Sequence, residues 1–123
     1  MRNLEHAEQA ALISWVKYEG LRKFPELALL FAIPNGGKRS KVTAALLKAE
    51  GVFPGVPDMF LPVSRLRCHG LFIEMKVGKN KPTKAQLDFM CQVRSEGYKA
   101  VVCWGWIQAR NALINYLTSE EED

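Results

Sequence analysis

Between positions 70 and 77 the chain alternates. Leu71, Ile73, Met75 and Val77 fall on one side of an extended backbone, and Phe72, Glu74 and Lys76 fall on the other. The first set predicts a core face. The second places an acid and an amine in the middle of an apolar strand, where an uncompensated charge is unfavourable unless a partner or a metal ion offsets it. Residues 58–63 read as a preceding strand, and the polar stretch 64–70 between the two is of a length that predicts an antiparallel hairpin.

The rest of the pattern supplies helices and two more strands. Leu4, Ala11, Leu12 and Trp15 recur at helical spacing over 4–18, with Glu8 on or beside the inward face. The apolar run 27–33 is read as a strand because Pro34, Asn35, Gly36 and Gly37 stop it abruptly. Over 39–50, Val42, Ala45, Leu46 and Ala49 share one face of a helix with a basic entrance, and Gly51 ends it. Thr83 and Gln86 form a capping box that opens a helix to about residue 96, with Leu87, Met90 and Val93 inward and Gly97 as its stop. A strand over 98–104 and an amphipathic helix over 106–117 follow; Tyr98, Trp104 and Trp106 are expected to pack in the core. This alternation predicts an α/β fold with a mixed central β-sheet flanked by helices.

Composition narrows the class. A chain of 123 residues with 48% hydrophobic residues fits one domain over 1–119, followed by an acidic tail at 120–123. Cys68, Cys91 and Cys103 lack metal or disulfide spacing, and neither an export signal nor a membrane-length apolar run is present, so a soluble cytoplasmic protein is expected. Net charge is +4, and the body without its tail carries +8. Such a balance favours a polyanionic partner, although solubility alone also accounts for it.

The chemistry centres on the hairpin. Asp58 opens its first strand and Glu74 lies toward the end of the second, so antiparallel pairing brings both carboxylates to one sheet edge. A hard cation such as Mg2+ or Mn2+ takes one or two carboxylates with phosphate and water, and the Met75 carbonyl can add a third oxygen. Lys76 follows on the same side, roughly 7 Å beyond Glu74, within reach of an attacking water. Glu8 can extend the acidic cluster, and Gln86 can bind phosphate or orient Lys76. Taken singly, each has an ordinary reading: turn residue for Asp58, cross-strand pair for Glu74 and Lys76, helix-dipole partner for Glu8, cap for Gln86. The basic residues Lys79, Lys81 and Lys84, and the segment Asn35, Gly36, Gly37, Lys38, Arg39 and Lys41, are candidates for DNA phosphate contact; a solvated surface and a plain tight turn are the alternatives.

With these pieces in place, the chain resembles the PD-(D/E)XK nuclease superfamily, and within it the VRR-NUC group in a stand-alone phage or bacterial form, over nearly its whole length. The matching pieces are Glu8-Gln9, residues 32–37, residues 49–52 with 55–58, residues 73–76, and Thr83 with Gln86. No Val-Arg-Arg occurs, so the group's name does not describe this site. The resemblance implies a restriction-endonuclease-like fold and a Mg2+- or Mn2+-dependent endonuclease. Its acids would be Glu8, Asp58 and Glu74, with Lys76 near the nucleophile and Gln86 auxiliary. It also implies a homodimer acting on branched DNA such as a Holliday junction. A flap or general DNA endonuclease, or a DNA-binding module without turnover, are the alternatives.

Overall fold

The computed structural model describes residues 2–34, 41–52 and 54–119. Asn35, Gly36, Gly37, Lys38 and Arg39, expected to contact DNA, lie outside the described residues, as does the acidic tail. Helix α1 (Arg2–Trp15) continues through a π-helical turn at Val16–Gly20 into the short α2 (Leu21–Lys23). After a 3-10 turn at Pro25–Leu29 come β1 (Phe31–Ala32), α3 (Lys41–Ala49), β2 (Met59–Leu61) and β3 (Leu71–Lys76). Helix α4 (Lys84–Ser95), β4 (Lys99–Trp104) and α5 (Trp106–Thr118) complete the chain.

The strands form one mixed sheet in the order β1-β2-β3-β4. The hairpin is antiparallel, with Met59 opposite Ile73 and Leu61 opposite Leu71. Beyond the helical crossover of α4, β4 lies parallel to β3, pairing Glu74 with Val102 and Lys76 with Trp104. Leu71, Ile73 and Met75 form the core face, as their alternation predicts, together with Met59 and Leu61. Leu12 and Val16 of α1 and Ala109, Leu113, Tyr116 and Leu117 of α5 close over it. Each such side chain contributes roughly 1.5–3 kcal/mol on burial. The Tyr116 hydroxyl donates to the Val63 carbonyl and ties α5 to the end of β2.

Helix α4 covers the opposite face, where Phe89 meets Phe72 edge-on at 5.6 Å and Phe72 lies 4.4 Å from Phe60. Its capping box is complete: Thr83 Oγ1 accepts from the Gln86 N–H, and the Gln86 side chain accepts from the Thr83 N–H.

Three expectations need correction, while α3, which forms as expected, has no buried residue. Residues 27–33 are not one strand: the Leu27 N–H donates to the Phe24 carbonyl and the Leu30 N–H to the Leu27 carbonyl, closing local turns that leave only Phe31–Ala32 for the ladder. In α3, Val42 and Leu46 are 71% and 60% exposed. Amphipathic spacing creates an apolar face without supplying anything to cover it. Leu4 and Leu87 are exposed too. Each stands in the first turn of its helix, ahead of the packed stretches at Leu12 and Met90. Finally, Trp104 is 38% exposed, whereas Trp106 packs against the core as expected and Tyr98, partly buried, packs against Phe60 and Phe72. Trp104 ends β4, which among the described residues is an edge strand. Among the described residues, no helix is long and apolar enough to cross a membrane.

Candidate active site

The site lies where β2, β3 and α4 meet. The register that pairs Met59 with Ile73 sets Asp58 beside Glu74, one step further along both strands. Asp58 is held at both ends: its carbonyl accepts the Ile33 N–H at 2.7 Å, and its Oδ2 accepts the Met75 N–H at 2.7 Å. The segment leading to it is pressed against the start of α4. Gly55 has φ +95°, and a β-carbon there would lie 2.5 Å from the Ala85 carbonyl oxygen, so only glycine permits this approach.

Glu74 is 3% exposed and Lys76 is 9% exposed. Gln86 Nε2 donates to Glu74 Oε2 at 3.1 Å, while Lys76 Nζ stands 3.4 Å from that same oxygen. Gln86 therefore has two roles: its carbonyl oxygen caps α4 as the capping box predicts, and its amide holds Glu74, a partner that the sequence reading, which offers phosphate or Lys76, does not name. The other oxygen, Oε1, is buried without a hydrogen-bond partner.

Electrostatics follow from that crowding. Burial, reinforced by the charge of Asp58 and opposed by Lys76, pushes the Glu74 carboxyl up to about 8. Burial likewise raises Asp58, against the lowering effect of the Met75 N–H. Two neighbouring carboxylates are both acceptors when ionised, so a stable arrangement calls for a proton or a cation between them. Among the described residues, no three His, Cys, Asp or Glu side chains converge tightly enough to hold a metal ion by themselves. Two carboxylates with one unpartnered, buried oxygen nevertheless fit a hard divalent cation that completes its sphere with water and phosphate.

Glu8 stands at the neighbouring strand end. A β-carbon on Gly105 would lie 3.1 Å from Glu8 Oε1, and the Gly105 N–H donates to the Lys76 carbonyl at 3.0 Å. One turn earlier on α1 is a residue the sequence reading missed: Glu5 Oε1 lies 3.8 Å from Lys76 Nζ. The three-residue spacing of Glu5 and Glu8 on one helix was the available signal. Lys41, Lys79, Lys81 and Lys84 are exposed, and Lys84 is paired with Asp88 at 3.1 Å. The sheet and α4 thus bring together Asp58, Glu74, Lys76 and Gln86, with the Met75 peptide between the acids.

Comparison with known proteins bears on the family and the fold. The model of the VRR-NUC domain family matches residues 3–106. A solved structure described as a VRR_NUC domain protein is similar to the chain with a TM-score of 0.82 and 28% identity, covering 98% of this chain and 93% of that one. Among curated proteins, none matches.

Proposed function

The chain belongs to the VRR-NUC domain family of nucleases, and from that premise we propose that it is a Mg2+- or Mn2+-dependent endonuclease cutting branched DNA as a homodimer. The observation that carries this reading is the buried, unpartnered Oε1 of Glu74 beside a second carboxylate and an amine. So crowded a pair of carboxyls is satisfied by a shared proton or by a cation, and a cation is the partner that hydrolysis of a phosphodiester calls for. Asp58 and Glu74 would hold the ion, with the Met75 carbonyl as a further oxygen. When bound, the ion supplies electrophilic activation of the phosphate and lowers the pKa of a coordinated water.

The chain's own residues do the remainder. Gln86 keeps Glu74 Oε2 occupied and so directs the other oxygen to the ion. Lys76, next to that carboxylate, would orient the water that attacks phosphorus or, as the neutral amine, take its proton; the P–O bond to the ester oxygen breaks and that oxygen takes a proton from solvent to leave as a hydroxyl. Glu8, on the far side of Gly105, supports the cluster through bound water or a second ion. Lys41, Lys79, Lys81 and Lys84, all exposed, would meet phosphates by charge, and the sequence pattern assigns the same role to Asn35, Gly36, Gly37, Lys38 and Arg39. The reading takes 1–119 as one module, so a two-fold dimer would present two sites to the two symmetric strands of a junction.

The test incubates the purified protein with labelled four-way junction, flap, single-stranded and linear duplex DNA, each with and without Mg2+ or Mn2+. Symmetric, metal-dependent nicks confined to the junction are expected. Cleavage of flaps or linear duplex at equal rates would replace junction resolution by a flap or general endonuclease. Binding without cleavage under every metal condition would leave a DNA-binding module only.

A further inference from the structure

Beside Lys76 the sheet carries an aromatic ring that the reaction does not use. The parallel register pairs Lys76 with Trp104, so both side chains leave the sheet on the same face from adjacent strands about 4.8 Å apart. An indole is among the largest apolar groups a protein can bury, yet this one is 38% exposed.

It is also firmly held. The Trp104 indole N–H donates to the Asn80 carbonyl at 2.8 Å, and the Trp104 backbone N–H donates to Gln108 Oε1 at 2.8 Å. The next peptide, at Gly105, is bonded to the Lys76 carbonyl. With its single polar group satisfied internally, the ring offers solvent a hydrocarbon surface whose orientation is already set. Asn80, which accepts the indole, is flanked by the exposed Lys79 and Lys81. An exposed indole tethered to a residue that lies between two exposed lysines suits single-stranded nucleic acid, where a base stacks on the ring while cations follow the phosphates. Bases inside a duplex already stack on one another, so only an unpaired base can use it.

We propose that Trp104 is a stacking platform for one unpaired nucleobase of the DNA strand whose phosphate lies at Asp58 and Glu74. This rests on the nuclease reading and deepens it, for within a branched substrate the ring would take a base left unpaired where the strands part. The competing account is a latch in which the ring serves only to fasten residues 77–83 to β4. The two differ in what phenylalanine does: it loses the indole N–H and keeps the stacking face.

The experiment measures fluorescence anisotropy in chelator for labelled oligothymidine, a blunt duplex, the same duplex with an oligothymidine overhang, and that overhang made abasic. Proteins are the wild-type chain, Trp104→Phe and Trp104→Leu. Trp104→Leu is expected to weaken overhang binding roughly tenfold and leave blunt-duplex binding unchanged, while Trp104→Phe stays close to wild type. The abasic overhang should lose as much with the wild-type chain and lose nothing further with Trp104→Leu. Equal weakening on blunt and overhanging DNA, no weakening at all, or a Phe variant as weak as Leu would each overturn the platform. Failure of the nuclease reading shows separately, as absence of metal-dependent cleavage by a wild-type chain that still prefers the overhang.

Discussion

The two faces of β3 are buried almost equally and mean opposite things. Ile73 and Met75 meet α1 and α5 in an ordinary core, where removal from water is itself the stabilising term. Glu74 and Lys76, one residue over, lose as much solvent but face each other, Gln86, Asp58 and Glu5, with one carboxylate oxygen left over. Burial without full satisfaction is a reservoir of unfavourable free energy, and a site that awaits a cation is one reason for a chain to retain it. A second comparison sharpens the point: α3 has an equally regular apolar face and buries nothing. Pattern therefore identifies a face, while its partners determine what the face does.

The sharpest break sets Lys76→Ala against Ile73→Ala. The lysine variant is expected to lose about 10²- to 10⁴-fold in cleavage rate, while its urea unfolding midpoint, measured below pH 8 where Glu74 keeps its proton, falls less than that of the isoleucine variant. The isoleucine variant should lose about 2–5 kcal/mol of stability and retain cleavage per folded molecule. Comparable destabilisation by both would make Lys76 a structural ion and remove the contrast.

Proton linkage offers a second probe. Because the Glu74 carboxyl is raised from 4.5 to about 8 in the folded chain, the folded state binds more protons than the unfolded one between those values. Its contribution to stability is fully present below pH 4.5 and is lost as the pH rises through 8, and the raised Asp58 adds in the same direction. Thermal melts in chelator should fall across this window. Glu74→Gln should flatten the curve, and Mg2+ should raise the wild-type melting temperature most at the alkaline end. A wild-type curve that is level without metal would mean the two acids are satisfied as they stand.

The smallest effects separate the two roles of Gln86. Thr83→Ala and Gln86→Ala each remove part of the α4 cap and should lose about 1 kcal/mol of stability by urea titration. Only Gln86→Ala also removes the amide donor from Glu74 Oε2, leaving only Lys76 at that oxygen, so cleavage should drop roughly tenfold in that variant alone. Equal rates in the two would reduce Gln86 to a cap.

Much of this site was legible in the residues. Alternation over 71–76 announced two faces, Thr83 and Gln86 announced the start of α4, and the hairpin length put Asp58 beside Glu74. These inferences succeed because they depend on backbone geometry repeated over a few residues: side chains on a strand must alternate, and a helix start must satisfy its free N–H groups. The same local logic failed for 27–33, where a 3-10 turn and a strand suit the same apolar run, and for Leu4 and Leu87, whose helices begin before their packed stretches.

What the chain determined alone was the order of elements, the two faces of each, and the acids and amine placed on one of them. Tertiary structure alone decided that Glu5 reaches Lys76, that Gln86 serves Glu74 as well as its own helix, and that Trp104 stays open to solvent while α3 lies bare. The physical reason is range. A side chain's direction is set by the torsions of its own neighbourhood, but its company is set by where a crossover many residues away returns the chain, and no spacing along the sequence records that distance.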